Sequence, residues 1–340
     1  MKLINEVLKK DPDYASLLNE IERGRLPIVC TGLSLIHKAI IAASLRGHTG
    51  KRVVLITHDE ATAAELCGDI NALGLKCLNF PARDLCIGDL SGYSKEYEHK
   101  RIDTLSAVAD GAFDLLTISL DAAVQYTVKP EVLKSSRFTL KTGDSADTSE
   151  LAERLINAGY TRSQLCEGSG QFSVRGGIFD LFPVNSEKPC RIEFWGDEID
   201  SISYFDPETQ RREENADEIE ISPAAEVMFD PPKLVAKLKT EIPNPALTLK
   251  QRDILAKDAE LLENGVKIPP DRYIPLLDTM GTVFEYFGDS LLMLSESGNM
   301  AERFKSMEIQ LSADTENYLE EGYLFSKTAK LQLDKTEFFG

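Results

Sequence analysis

The stretch GSGQFSVRGGIFDLFPVNSEKPCRIEFWGDEIDSISYFD, from Gly168 to Asp206, decides how this chain is read. Four short alternating runs, 171–175, 178–182, 191–195 and 201–205, are separated by Gly176-Gly177, Pro183-Val184-Asn185-Ser186 and Gly196-Asp197. Runs of this length joined by turns this tight predict antiparallel strands. Side chains alternate across a strand, so Phe172 and Val174 share one face while Gln171, Ser173 and Arg175 share the other. In the third run Ile192 and Phe194 point together, and Arg191, Glu193 and Trp195 point the opposite way. The chain's only tryptophan therefore falls on the polar face of a sheet, in line with Glu193 and Arg191. An arginine and aromatic surface of this kind has the composition of a docking hot spot.

Outward from that cluster, the N-terminal part alternates strands with helices. A helix pair over 1–24 precedes a short buried strand, LPIVCT at 26–31, then Gly32 and a helix through Leu45. Strands follow at 51–57 (KRVVLIT), 76–80 and 113–118 (FDLLTI), with helices at 59–73, 93–108 and 119–124 between and after them. This order predicts a parallel sheet covered on both faces. From 128 the pattern changes to a strand at 137–141 and a helix over 148–158 capped by Thr148 or Ser149, with Gly159 just beyond. The strand cluster comes next, closed by the acidic RREENADEIE and Pro223. Prolines then separate helices until DSLLMLS at 289–295, a buried strand suited to rejoin the first sheet. A long amphipathic helix runs from Met300 towards Leu319, and the end, LDKTEFFG, reads as a cut through a longer chain. The fold class is α/β with an inserted α+β domain that carries an antiparallel sheet. Its domains are 1–127, 128–221 and 222–340.

A chain of 340 residues exceeds one ordinary core, and no apolar run approaches membrane-spanning length. Thirty-eight basic against 56 acidic residues give a net charge of −18, which disfavours holding DNA by its phosphates and favours protein partners. The six cysteines contain no CxxC pair, which argues against zinc and for a reducing cytoplasm.

A parallel sheet with a loop opening a helix calls for a phosphate-binding test. The place is Thr31-Gly32-Leu33-Ser34-Leu35-Ile36-His37-Lys38-Ala39. Backbone N–H groups wrap phosphates only where glycines let them approach, and an adjacent Lys and Ser/Thr supply charge and a magnesium ligand. Leu35 and Ile36 stand where small residues belong, Ala39 where the hydroxyl belongs, and Lys38 alone survives. The acidic half of such a site would follow the strand at 291–294, but Ser295-Glu296-Ser297 puts serine in the aspartate's place. Gly32, Lys38, Ser295 and Glu296 thus mark a degenerate nucleotide site, and no catalytic residue or metal set is assigned. His37, His48, His58 and His99 are scattered and read as solvated or helix-surface residues, and KEYEHKR at 95–101 reads as a solvated helix face. For Arg175, Arg191 and Trp195 there are two accounts. In one, another domain covers the indole and both arginines pair with Glu193 or Asp197. In the other they form an exposed patch whose guanidinium groups meet acidic groups of a partner, and whose loss leaves the fold intact.

The segment FSVRGGIFDLFPVNSEKPCRIEFWGDEIDSISYFDPETQR resembles the hallmark segment of UvrB-like modules. FPARDLCIGDLSGYSKEYEHKRIDTL resembles the transcription-repair coupling factors (the Mfd family) more than UvrB, whose long aromatic hairpin is absent here, and Gly32-Leu33-Ser34 with Lys38-Ala39 is similar to that family's decayed P-loop. The resemblance implies a UvrB-like, P-loop-NTPase-like core (domains 1a and 1b) around a domain 2 that recruits UvrA to lesion-stalled RNA polymerase in nucleotide excision repair. It places the UvrA-contacting positions on Arg175, Arg191 and Trp195, where phenylalanine is commoner than tryptophan. It also implies that the C-terminal domain of the intact protein masks this surface. RNA polymerase and DNA would be engaged only through domains outside this chain. ATP and magnesium would serve a translocase motor there, with no cofactor and no catalysis here. The rival reading is an ATP-dependent damage-binding protein of the UvrB type.

Overall fold

The runs VVLIT and LLTIS are buried at every position, which only a sheet covered on both faces can satisfy. In the computed structural model, which describes residues 1–88 and 94–339, they are strands β1 (Val53–Thr57) and β3 (Leu115–Ser119), with β2 (Cys77–Phe80) at one edge. Helices α1 (Lys2–Leu8), α2 (Pro12–Glu22), α3 (Leu35–Thr49) and α4 (Glu60–Ala72) precede β2, and α5 (Glu96–Ala109) and α6 (Leu120–Ala123) flank β3. The helix expected over 93–108 starts at Glu96; Tyr93 lies outside the described residues. The chain continues through β4 (Thr127–Val128), α7 (Pro130–Ser136), β5 (Phe138–Lys141) and α8 (Thr148–Asn157). Asp147, not Thr148 or Ser149, caps α8, accepting from the Ser149 and Glu150 amides, because the carboxylate sits one residue before the first turn.

The antiparallel sheet comprises β6 (Thr161–Arg162), β7 (Gln171–Arg175), β8 (Ile178–Leu181), β9 (Cys190–Trp195), β10 (Glu198–Phe205) and β11 (Arg212–Ala216), in the order β11-β10-β9-β8-β7-β6. Only β6 runs parallel to its neighbour. The acidic stretch after it is ordered as β11 and β12 (Glu218–Ile221), the latter paired with β5. Helices α9 (Pro231–Glu241) and α10 (Leu249–Glu263) build a third small core with Tyr273 and Phe325. The chain then returns through β13 (Met280–Gly281), paired with β4, to β14 (Leu291–Leu294), α11 (Ser297–Glu321) and α12 (Lys335–Phe339). No described helix is long and apolar enough to cross a membrane.

The parallel sheet has the order β14-β1-β3-β2, so the C-terminal part does supply a strand to it. Two expectations fail at this edge. Residues 26–31 form no strand, and Leu26 and Val29 are exposed, because β14 occupies the place beside β1 that a strand leading into α3 would take. And β14 is not buried throughout: as an edge strand it buries Leu291 and leaves Leu292 and Leu294 exposed. One face of the sheet packs on α2, α3 and α4 through Tyr14, Ala42, Leu45, Leu66 and Ile70. The other packs on α5 and continues without a break into α8 and the apolar face of the antiparallel sheet, through Ile102, Leu105, Leu155, Phe172, Phe179 and Ile192.

Where these layers meet, KEYEHKR proves not to be a solvated face. Glu98, His99 and Arg101 are buried. The Arg101 guanidinium lies 4.1 Å over the Phe80 ring and donates to both Glu226 oxygens, from Nε at 3.0 and 2.8 Å and from Nη2 at 2.8 Å. Arg83 donates from Nε to Glu226 at 2.9 Å and forks onto Asp271 with two bonds of 2.8 Å. The Thr127 hydroxyl adds a third donor to Glu226 at 2.5 Å, and the Glu226 amide donates to Glu98 at 2.8 Å. His99 is buried beside this junction, and desolvation, with Lys95 nearby, lowers its pKa to about 4. A mixed-sign run was read as wet because its partner lies far away in sequence.

Burial alone would raise the Glu226 carboxyl; Arg101, Arg83 and the Thr127 hydroxyl more than reverse this and hold it below its ordinary range. Its contribution to stability is therefore complete above the unfolded carboxyl pKa of about 4.3 and fades as acid protonates the folded carboxylate. Glu226→Gln leaves two buried guanidinium groups short of charge, and is expected to cost about 3–5 kcal/mol in urea unfolding. The variant should also show a flatter loss of stability on acidification than the parent, measured by urea midpoints between neutral pH and the carboxyl range.

Candidate docking face

The face of the antiparallel sheet turned away from the core is built in rows. Register places Ser173, Asp180, Arg191, Ser203 and Asn215 side by side across β7 to β11. The next row towards the hairpin turns reads Arg175, Ile178, Glu193 and Ser201, and Trp195 ends β9 opposite Glu198. Alternation within each strand therefore sets Arg175, Arg191, Glu193 and Trp195 on one face.

Asp180 organises the middle row. It is fully buried, and its two oxygens accept from Arg191 Nε at 2.7 Å, Arg191 Nη2 at 3.0 Å and Arg175 Nη2 at 2.7 Å. Arg191 also lies 4.8 Å over the buried Phe205 ring, and its Nη2 reaches Gln210 Oε1 at 3.5 Å. The Asp180 bond raises the Arg191 pKa above its already high range. The Arg191 side chain is 17% exposed and that of Arg175 48%. Glu193 is engaged elsewhere, accepting from Ser201 at 2.7 Å and Arg212 at 3.3 Å. The arginines thus do pair within the sheet, but with Asp180, not with Glu193 or Asp197.

Trp195 is 84% exposed. Its backbone is held firmly all the same. Gly196 takes φ +65° in the turn, and a Cβ on Gly177 would meet the Phe194 carbonyl at 3.0 Å, where the Phe194 amide donates to Gly177 at 2.8 Å. The loop before α8 braces the same turn: Gly143 and Ala146 amides donate to the Ile199 and Asp197 carbonyls at 2.8 Å, and the Ile199 amide to Asp144 at 2.9 Å. A large aromatic ring is thus held in solvent by a rigid hairpin, with Ile178 exposed beside it. Sequence reasoning missed Asp180. The signal was present: cross-strand alternation puts it on the same face as both arginines.

Beside the parallel sheet, where β14 leads into α11, Lys38, Ser295 and Glu296 come together. Lys38 Nζ donates to Ser295 Oγ at 3.1 Å and forms an ion pair with the Glu296 carboxylate. The Lys38 bond holds the Glu296 carboxyl below its ordinary range. Glu296 takes φ +58°, the left-handed region, at the start of α11. Gly32, at φ +78°, precedes α3 in an exposed coil, and Ala39 is packed in the core.

Residues 138–227 match the family described as the UvrB interaction domain, and the whole docking face falls inside that match. The chain is also 29% identical over 338 residues to the transcription-repair-coupling factor of Bacillus subtilis (strain 168), covering 95% of this chain and 29% of that protein. It is 28% identical over 352 aligned positions to the transcription-repair-coupling factor of Staphylococcus aureus (strain USA300), covering 99% of this chain and 30% of that protein. Over nearly its whole length the chain is similar to transcription-repair-coupling factors. It spans under a third of the length of these transcription-repair-coupling factors, and across that span its likeness to them extends well beyond the UvrB interaction domain into both flanking parts.

The two arginines are expected to behave differently on substitution. Arg191→Ala leaves a buried carboxylate with one partner and should cost about 3 kcal/mol of stability. Arg175→Ala removes a half-exposed side chain and should cost about 1 kcal/mol or less. Urea midpoints of the two variants, compared with the parent, check this order.

Proposed function

We propose that this chain is a docking module that recruits UvrA to RNA polymerase stalled at a lesion, in nucleotide excision repair, and does no chemistry of its own. The observation that carries the reading is Trp195: an indole 84% exposed, on a braced hairpin, within the segment that matches the UvrB interaction domain. Covering a ring of that size gains hydrophobic free energy, and a rigid backbone lets little of it be lost to ordering. Arg175 lies on the same face, two strands across and one row back, with donors to spare, which fits a partner surface that offers a carboxylate near an apolar cleft. The net charge of −18 suits a protein partner better than DNA. On this reading 128–221 is the docking domain, and 1–127 with 222–340 form a P-loop-NTPase-like core with no working fuel site. There Glu296 already neutralises Lys38, the one phosphate-binding group left, and Ala39 offers no magnesium ligand. In an intact protein of this kind, polymerase, DNA and ATP would be handled by domains outside this chain.

Trp195→Ala is expected to weaken binding of purified UvrA by on the order of 2 kcal/mol in calorimetry, with the urea midpoint unchanged. Because Trp195 is the only tryptophan, the chain labelled with 5-fluorotryptophan gives a single fluorine resonance, which should shift as UvrA is added. A resonance that stays in place at saturating UvrA would remove the reading. Titration of magnesium-ATP into the chain should produce no binding heat; magnesium-dependent binding would instead favour a UvrB-type ATPase.

A further inference from the structure

We propose that Asp180 is the positioning residue of the docking face, and that it divides the two arginines into an internal strut and a partner contact. This rests on the docking reading above and adds to it which group reaches the partner.

Arg191 gives two donors to Asp180, stacks on Phe205 and touches Gln210, so both its charge and its plane are fixed inside the chain. Arg175 gives Asp180 a single N–H, from Nη2. A guanidinium carries five N–H donors in a rigid fork. One bond to a fixed carboxylate therefore aims the fork of Arg175 and leaves most of it for another acceptor. Asp180 can aim it because Asp180 cannot move: it is fully buried, sits in the middle of a six-stranded sheet, and is held from the other side by Arg191. Its neighbours in the row do not compete. The Ser173 and Ser203 hydroxyls are buried and have no hydrogen-bond partner among the described residues.

The charge balance defines the partner's chemistry. Two guanidinium groups against one buried carboxylate leave a single net positive charge, and it emerges at Arg175, one row from the turn that carries Trp195. The surface fits one carboxylate of the partner, accepting from the Arg175 N–H groups, near a cleft that takes the indole.

The test is a double-mutant cycle, read by calorimetry with purified UvrA and the full chain. Asp180→Asn keeps the shape and removes the charge that aims Arg175. It should weaken binding about tenfold in the parent, and have no further effect in an Arg175→Ala background, as residues acting through one another are non-additive. An equal loss in both backgrounds, or no loss in the parent, overturns the proposal. Should Asp180→Asn fail to fold, Arg175→Lys serves instead. It keeps the charge but cannot hold Asp180 and a partner carboxylate in one planar fork, so it should bind as weakly as Arg175→Ala; parent-like binding overturns the proposal. Trp195→Ala separates the two failures. If it binds UvrA normally, the docking reading falls; if it loses binding while the Asp180 cycle is additive, only the positioning role falls.

Discussion

One buried carboxylate ties the layers of this molecule together. Glu226 lies a few residues past β12, and its oxygens accept from Arg101 on α5, Arg83 after β2 and Thr127 on β4. Through Arg83 the network reaches Asp271, which also accepts from the Cys86 amide at 2.6 Å. Five segments distant in sequence thus converge on a junction with no access to water. Buried charges are costly unless every one is paired, and that cost penalises any other arrangement of the layers. The apolar core running from the parallel sheet into the antiparallel one contributes the stability, and the ionic junction sets the geometry.

That geometry leaves the hairpin-turn end of one face of the antiparallel sheet in solvent, at Arg175, Ile178 and Trp195. Its apolar side is spent on the core, and its polar side is tied into rows by register and by Asp180. A sheet secured this way can display a bare indole without loosening, because the forces that hold β9 are elsewhere: the ladder on both sides and the brace from the loop before α8. The apolar core and the exposed indole fall on opposite sides of the same strands. The arginines straddle that division, one inside and one half out.

A second tie joins the first turn of α3 to the start of α11 through a lysine and a carboxylate of the same chain. Lys38 ties α3 to the start of α11 through Ser295 and Glu296, and so links N-terminal and C-terminal parts. Glu296 accepts a left-handed backbone in doing so, a conformation that costs a non-glycine residue free energy and that the ion pair helps to offset.

Local pattern alone was enough for the alternation of strands and helices, the parallel sheet and its late C-terminal strand, the antiparallel hairpins, and the shared face of Arg175, Arg191 and Trp195. These follow from side-chain period and turn chemistry, which act over a few residues and are written in order along the chain. Local pattern misplaced the strand at 26–31, the solvation of Glu98, His99 and Arg101, the cap of α8 and the partner of the two arginines. Apart from the cap, a matter of one residue, each of these turns on which distant segment arrives alongside: β14 beside β1, Glu226 beside Arg101, β8 beside β9. The sequence by itself determined which elements form and which way their side chains point. Only the tertiary structure decided which charges are buried, because burial and pairing depend on neighbours brought together from far along the chain.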